Sequence, residues 1–320
     1  VSAETKDVDA VPAAAPAVSA MRAPPPDWRH RIDAYERLIR LDKPIGTLLL
    51  LWPTLTALWF STYGSPSFTL IAVFVMGTLL MRSAGCAFND WADSEFDRHV
   101  KRTAKRPLAV GEIAPWEALA LAALFAAVAF TFLLATNRTA MLWSLPALAI
   151  SIAYPFFKRF FALPQAFLGL AFSFGIPMAY AAAIGAVPSF AWWLLIANAF
   201  WVIAYDTEYA MVDRDDDVRI GIRTSAITFG RYDVLAVAIC YLIFLGGMAW
   251  LGTRAPSGWI YYAGLGVAFV IALYHLWLIR GRERDKCFRA FLHNHWIGFV
   301  IFASVALDYA VRMERWPRVL

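Results

Sequence analysis

Nine long apolar runs, separated by short polar intervals, set the plan of the chain. They cover approximately residues 45–63, 67–88, 115–135, 139–157, 164–185, 189–207, 232–252, 257–279 and 291–312. Each is near the length of about 20 residues that a helix needs to cross a bilayer. The pattern predicts an all-α, polytopic membrane protein with nine transmembrane helices. Pro53, Pro146 and Pro177 fall inside these runs. Neighbouring helices can satisfy the carbonyls that such prolines free, so kinks rather than breaks are expected. Gly246–Gly247 and the pair Gly264 and Gly266 permit close helix packing.

Two segments precede the runs. Residues 1–27 are rich in Ala, Pro and Val, carry Glu4, Asp7 and Asp9, and include three consecutive prolines, Pro24 to Pro26. They have no apolar core of the signal-peptide kind, and their acids argue against a transit peptide. The prolines preclude a helix, so a disordered tail is expected. Residues 28–43, WRHRIDAYERLIRLDK, are basic and amphipathic and predict a helix lying on the membrane surface. Residues 28–320 then form one transmembrane domain.

Composition agrees with this plan. Of 320 residues, 60% are hydrophobic and 17% charged, against about 45–50% and 25% in ordinary soluble domains. The formal charge of +5 is therefore read against the membrane and not as a sign of a nucleic-acid partner. The N-terminal segment and every second loop hold 23 lysines and arginines, while the alternate loops hold only Arg138 and Arg254. This asymmetry predicts that the N-terminus and the basic loops are cytoplasmic. An odd helix count then places the C-terminus outside, although Arg312, Arg315 and Arg318 oppose the rule there. With no transit peptide, a bacterial inner membrane is favoured over a mitochondrial one. Cys86, Cys240 and Cys287 lie far apart and form no CxxC pair, which speaks against zinc or a disulfide framework.

The chemistry concentrates where two apolar runs end. Residues 82–106 read RSAGCAFNDWADSEFDRHVKRTAKR. Asn89, Asp93 and Asp97 recur at steps of four, so on a helix they share one face. Asp90 sits beside this column, and Arg98, Lys101, Arg102, Lys105 and Arg106 follow. Carboxylates and an amide carbonyl suit a hard cation such as Mg²⁺, and the adjacent cations suit phosphates. A second acidic run, YDTEYAMVDRDDDVRIG at 205–221, ends the sixth segment. Its Asp206, Asp213 and Asp217 again share a face, with Tyr209 between them, while Asp215 and Asp216 are expected to look outward or towards the loop. Standing alone, either run reads as a solvated helix end. Together they lie on one membrane face and mark two quasi-repeated four-helix units, segments 1–4 and 5–8, with the ninth extra. A lipid diphosphate such as an isoprenyl diphosphate fits such a site, since its head needs Mg²⁺ and cations and its tail needs membrane-embedded walls.

Other residues add to the set. Tyr154, Lys158 and Arg159 of YPFFKR fit either a positive-inside anchor or a diphosphate clamp. Arg82 is a charge inside an apolar run, seven residues before Asn89; such a charge needs a cavity or a partner. It either holds a substrate carboxylate or pairs with an acid. Arg40 and Lys43 are weaker candidates at the entry of the first segment. His99, His275, His293 and His295 fit packing or hydrogen bonding better than catalysis. No HExxH, GxSxG, Walker or GxGxxG context is present, which removes proteolysis, nucleotide hydrolysis and nicotinamide chemistry.

On these motifs the chain resembles the UbiA superfamily of intramembrane prenyltransferases, and within it the branch that acts on 4-hydroxybenzoate. The likeness is carried by RLDKPIGTLLLLWPT at 40–54, MRSAGCAFNDWADSEFDRHVKRTAKRPL at 81–108, YPFFKR at 154–159, YDTEYAMVDRDDD at 205–217 and GIRTSAITFG at 221–230. The resemblance implies nine helices ringing a central cavity. It implies two Mg²⁺ ions at a site built from Asn89, Asp93 and Asp97 and from Asp206, Asp213 and Asp217. It implies polyprenyl diphosphate and 4-hydroxybenzoate as substrates in ubiquinone biosynthesis. In the expected mechanism, Lys101, Arg102, Arg106, Lys158 and Arg159 stabilise the departing diphosphate, with Tyr154 as a further donor. Phe88, Trp91, Tyr205 and Tyr209 face the allylic cation. Asp90 removes the ring proton or activates the phenol, and Arg82 holds the aromatic carboxylate. Two other readings stay open: a sister enzyme with homogentisate, dihydroxynaphthoate or a porphyrin as acceptor, and a cation or carboxylate transporter with duplicated halves.

Overall fold

The computed structural model describes residues 28–157 and 159–315. The tail expected at 1–27, and Lys158, lie outside the described residues. Every regular element among the described residues is a helix. The chain opens with α1 (Trp28–Ile39) and α2 (Ile45–Ser61), followed by α3 (Phe68–Ala92) and two one-turn helices, α4 (Ser94–Asp97) and α5 (Pro107–Val110). Next come α6 (Pro115–Leu133), α7 (Arg138–Phe157), α8 (Pro164–Ser173), α9 (Gly175–Ile184) and α10 (Ser189–Ile220). The last third holds α11 (Ser225–Phe229), α12 (Asp233–Gly252), α13 (Trp259–Ile279), α14 (Arg284–His293) and α15 (His295–Arg315). Among the described residues, eight helical stretches are long and apolar enough to cross a membrane, with α8–α9, α11–α12 and α14–α15 each acting as one stretch, and α2 is a shorter apolar helix of 17 residues. The protein is a multi-pass membrane protein.

Local chemistry explains the ends. Ser67 caps α3 by accepting from the Leu70 N–H at 3.2 Å. Pro115 opens α6, and Glu117 reaches back to the Ala114 N–H at 2.7 Å. The fifth apolar run breaks between Ser173 and Gly175, one turn before Pro177. A proline at 177 has no N–H for the carbonyl of Ser173, and its ring crowds that carbonyl, so the helical hydrogen bonding lapses at Phe174, which keeps right-handed backbone angles, and the run kinks there. Gly175 at this break presses against α2: a Cβ on it would lie 2.3 Å from Thr54 Oγ1.

The helices form a ring. Helix α3 packs on α6 and α2; α2 packs on α15 and α9; α15 on α13, α13 on α12, and α12 on α10; α10 then meets α8, and α8 meets α7. Helices α6 and α7 are sequential but diverge, α6 leaning on α3 and α7 on α8 and α9. Leu142, Leu145 and Val270 are exposed on the outer surface, as lipid-facing side chains are, and Trp116 and Trp259 stand at helix starts.

Length places the motifs. Helix α10 has 32 residues, about 48 Å at 1.5 Å per residue, against a hydrocarbon core of about 30 Å. If Ser189 starts at one membrane boundary, the helix leaves the other near Tyr209. Helix α3, 25 residues from Phe68, reaches the same level near Asn89. Both acidic motifs therefore stand at one depth.

Candidate active site

A cavity of about 1630 Å³ lies within the ring. Its deep walls are apolar, with Leu168, Phe172, Phe174 and Met178, and its polar end carries Arg40, Asn89, Asp90, Arg102, Arg106 and Asp206. Three arginines build that polar end through four ion pairs. Arg102, from the loop after α4, donates from Nε and Nη2 to Asp213 Oδ2 of α10 at 2.9 and 2.6 Å. Arg106 donates from Nη1 to Asp97 Oδ2 at 2.7 Å and lies 2.9 Å from Asp90 Oδ1. Arg40 donates from Nη2 to both Asp90 oxygens at 3.0 and 2.8 Å. Asp90, 2% exposed, is thus held by two guanidiniums. Burial works against the charge on Arg106, but Asp90 and Asp97 beside it outweigh burial and hold it above the ordinary guanidinium value. Arg102 is likewise raised, burial being outweighed by Tyr209 and Asp213. Both stay charged at any physiological pH.

The aromatic neighbours are ordered around Tyr209. The Arg102 guanidinium carbon sits 4.4 Å from the Tyr209 ring centroid, and Phe291 stacks on Tyr209 with centroids 4.3 Å apart and planes 19° apart. Tyr209 therefore lies between a cation and a phenyl ring. Phe88, Tyr205, Tyr209, Phe288 and Phe291 all line the cavity. Trp91 instead packs beside Phe88 in a second, smaller core under α1 and α5.

Arg82 reaches the cavity from α3, with its guanidinium carbon 5.8 Å from the Phe172 ring. Its Nε is buried with no hydrogen-bond partner. The Nε–Nη2 edge of the guanidinium abuts Gly46: a Cβ there would fall 2.5 Å from Nη2 and 2.6 Å from Nε. The glycine of the DKPIGT motif is thus the seat of Arg82.

Of the residues expected from the motifs, Arg82, Asn89, Asp90, Arg102, Arg106, Tyr154, Asp206 and Tyr209 line the one cavity. Asp93, Asp97 and Asp213 stand behind it, each bonded to a residue that does: Asn89 Nδ2 donates to Asp93 Oδ2 at 3.1 Å, and Arg106 and Arg102 hold the other two. Asp217 is buried further along α10. Lys101 is exposed, and Arg159 donates to the Ala92 carbonyl at 2.8 Å, away from the cavity lining. Two expectations change. Helix α3 stops at Ala92 with Asp93 as its C-cap, so Asp97 rides on the separate turn α4 and the first column is not one helix face. Asp216 does not look outward: it is 4% exposed and accepts from Arg284 Nη1 at 3.3 Å, while Asp215 is exposed.

The model of the UbiA prenyltransferase family matches residues 50–303. The chain belongs to this family. It is 58% identical over 281 residues to the 4-hydroxybenzoate octaprenyltransferase of Burkholderia vietnamiensis, covering 88% of this chain and 97% of that protein. It is 59% identical over 282 residues to the protein of the same name from Ralstonia nicotianae, covering 88% and 97%. Among solved structures, the apo UbiA homolog from Aeropyrum pernix K1 superposes with a TM-score of 0.73 at 25% identity, covering 82% of this chain and 97% of that one. The UbiA homolog from Archaeoglobus fulgidus bound to GPP and Mg²⁺ shares the fold, with a TM-score of 0.67 at 19% identity, covering 87% and 99%.

A UbiA-family site invites a test of its donors against Mg²⁺. Among the described residues no three carboxylates, histidines or cysteines gather as a ready-made metal cluster. Mg²⁺ does not require one, because it is commonly held by one or two protein oxygens together with substrate phosphates and water. The donor set here is of that kind. Asn89 Oδ1 is buried with no hydrogen-bond partner, and Asp206 lines the cavity opposite. Oxygen donors only, with one of them orphaned, fit a hard cation.

Three contributors, Arg40, Phe288 and Phe291, are not legible in the sequence. Arg40 ranked low, yet it clamps Asp90 and does so from the left-handed region, with φ 59°. That conformation costs a non-glycine residue about 1–2 kcal/mol; the two charged hydrogen bonds to Asp90 offset it. Its signal was position alone, directly before the DKP turn. Phe288 and Phe291 give no signal in the sequence: Phe288 falls in the basic stretch between the eighth and ninth apolar runs, which reads as a loop, and Phe291 is one apolar residue at the start of the ninth run.

Proposed function

We propose that the chain transfers a polyprenyl group from polyprenyl diphosphate to the ring carbon ortho to the hydroxyl of 4-hydroxybenzoate, releasing diphosphate, as a step of ubiquinone biosynthesis. The observation that carries this reading is the convergence of two acidic motifs and the cations Arg102 and Arg106 at the polar end of an otherwise apolar, membrane-embedded cavity. A transporter would place its charged groups near the membrane midplane, whereas these stand where α3 and α10 leave the hydrocarbon.

The residues divide the work. Arg102, Arg106 and Lys105 face the cavity and hold the diphosphate; Tyr154 adds a donor from α7. Asn89 and Asp206 would hold Mg²⁺, backed by Asp93, Asp97, Asp213 and Asp217. Bound there, Mg²⁺ supplies charge neutralisation of the diphosphate oxygens. As the bond between C1 and the bridging oxygen breaks, its electron pair goes to the diphosphate, and the fixed cations stabilise that charge. Phe88 presents its ring face to the positive charge at C1, while Tyr209, with Arg102 on one face and Phe291 on the other, forms the wall beside it. The ring carbon of the acceptor forms the new bond to C1 and then loses its proton. Asp90 has both oxygens engaged by guanidinium N–H groups, which favours a clamp for Arg40 and Arg106 over proton acceptance. Arg82, held on Gly46, takes the aromatic carboxylate with the part of its guanidinium that faces the cavity.

The apolar tail has a route out. The cavity lining runs onto Ala123, Ala127 and Phe130 of α6 and Leu145, Leu148 and Ile152 of α7, side chains that are also exposed on the outer surface. The cavity therefore opens sideways between the diverging helices, and the prenyl chain lies partly in the bilayer. The excess of Lys and Arg in alternate loops puts the polar end at the cytoplasmic face of a bacterial inner membrane, with α1 lying along that surface and tied to α6 through Tyr35 and Glu117 at 2.7 Å.

The deciding experiment is turnover in membranes with a short prenyl diphosphate, 4-hydroxybenzoate, and Mg²⁺ against EDTA, with homogentisate and dihydroxynaphthoate as competing acceptors. Prenylated 4-hydroxybenzoate formed only with Mg²⁺ supports the reading; preference for another acceptor overturns the substrate.

A further inference from the structure

Beneath the cavity, and outside its lining, lies a buried polar network that the reaction above does not use. Glu208 of α10 is fully buried, close to the level at which that helix leaves the hydrocarbon. Among the described residues no arginine or lysine pairs with it. Its Oε1 accepts from Tyr241 Oη of α12 at 2.9 Å, and its Oε2 accepts from Asn294 Nδ2 at 2.7 Å. Asn294 is also fully buried and sits at the break between α14 and α15. Its Nδ2 also donates to the Ala290 carbonyl at 3.0 Å, and its Oδ1 accepts from Trp201 Nε1 at 3.0 Å. Tyr241 Oη lies 2.9 Å from Asn294 Oδ1 and 3.0 Å from His275 Nδ1, and His275 Nε2 lies 3.0 Å from His293 Nδ1. A network of this kind in a low-dielectric interior admits one arrangement and penalises slippage, because any shift leaves a buried polar atom unmade.

What it fixes is α14. That helix is tied at its start, where Arg284 meets Asp216, and at its end, where Asn294 meets Glu208. Between the ties, Cys287 and Ala290 pack inward, and Phe288 and Phe291 face the cavity. Phe291 stacks on Tyr209, which lies one residue beyond Glu208 on α10 and carries Arg102 on its other face. The network thus joins the helix that bears the second acidic motif to the aromatic wall beside it.

We propose that Glu208 is a positioning residue which, through Asn294, holds Phe291 as the dry wall of the cavity and so decides whether C1 of the prenyl chain is captured by the aromatic ring or by water. This rests on the prenyl-transfer reading. After the C1–O bond breaks and its electron pair leaves with diphosphate, two nucleophiles compete. The ring carbon bonds to C1 and the ring loses a proton, or a water oxygen bonds to C1 and that water loses a proton, giving prenyl alcohol. A displaced Phe291 admits water at that point.

The test is the ratio of prenyl alcohol to prenylated acceptor, measured within each sample of purified full-length chain in lipid nanodiscs with Mg²⁺, a short prenyl diphosphate and 4-hydroxybenzoate. A ratio does not change with the fraction of folded protein. Glu208→Leu should raise it about tenfold, as expected for losing a buried hydrogen-bonded network. Phe291→Ala should raise it similarly, and Glu208→Gln, which can still bond both Tyr241 and Asn294, should stay within about twofold of the parent. Should Glu208→Leu fail to fold, Asn294→Ala takes its place with the same expectation. A parental ratio in Glu208→Leu or Asn294→Ala, or a Glu208→Gln ratio as high as that of Phe291→Ala, overturns the proposal. If the parent chain makes no prenylated acceptor at all, the prenyl-transfer reading fails instead, and the two failures are distinct.

Discussion

Arg102 and Asp213 join the two acidic motifs directly: the guanidinium of one and the carboxylate of the other meet at 2.6 Å across 111 residues of sequence. The loop after α4 is thereby pinned to α10, and the cation that faces the cavity is aimed by an acid of the opposite motif. Arg102→Ala should lower kcat/KM for prenyl diphosphate by about 10²–10³, the usual cost of removing one preorganised donor to a developing charge. Arg102→Lys should recover only part of this, since a single ammonium cannot reproduce the fork. Steady-state kinetics with the diphosphate varied at saturating 4-hydroxybenzoate measure both.

Asp90 distinguishes a clamp from a base. As the shared partner of Arg40 and Arg106, it should be needed for stability. Asp90→Asn removes the carboxylate that holds Arg40 and one of the two that hold Arg106; breaking a buried pair costs about 3–5 kcal/mol, and the thermal midpoint in detergent should fall. A normal midpoint with abolished turnover would restore Asp90 as the proton acceptor.

Gly46 makes a sharper probe of Arg82 than Arg82 itself. The atoms that a Cβ would meet are the far end of a flexible side chain, so Gly46→Ala should fold normally and displace the guanidinium. KM for 4-hydroxybenzoate should then rise about tenfold, in line with one charged hydrogen bond, with KM for prenyl diphosphate unchanged. Arg82→Gln should show the same selectivity. A rise confined to the diphosphate would move Arg82 to the other substrate.

Asn89 tests the metal reading apart from overall activity. Its Oδ1 is the orphaned oxygen, so Asn89→Ala should shift the Mg²⁺ concentration for half-maximal rate upward by about tenfold. Mn²⁺ titration followed by electron paramagnetic resonance gives a binding readout independent of turnover. An unchanged Mg²⁺ requirement would remove Asn89 from the metal site.

The membrane plan and the two motifs were legible because both are written in local composition. Long apolar runs announce their helices whatever the packing, and acids at steps of four announce themselves at helix ends. What was not legible depended on contacts across the fold. The burial of Asp216 needs Arg284, which is distant in sequence. The break after Ala92 follows from Asp93 and Ser94, residues whose short polar side chains compete with helix hydrogen bonds, and the step-of-four pattern hid it. Helix α14 was masked by its own charges, since Arg284, Lys286 and Arg289 make an amphipathic helix read as a loop. Arg40 could be ranked only once its reach to Asp90 was visible.

The sideways opening between α6 and α7 changes what concentration means for this enzyme. A substrate whose tail stays dissolved in lipid reaches the site by diffusing in two dimensions. Its effective abundance is its mole fraction in the bilayer, not its molarity in the suspension. Adding inert phospholipid at constant total prenyl diphosphate therefore dilutes that substrate and slows the reaction, while the water-borne aromatic acid is left untouched.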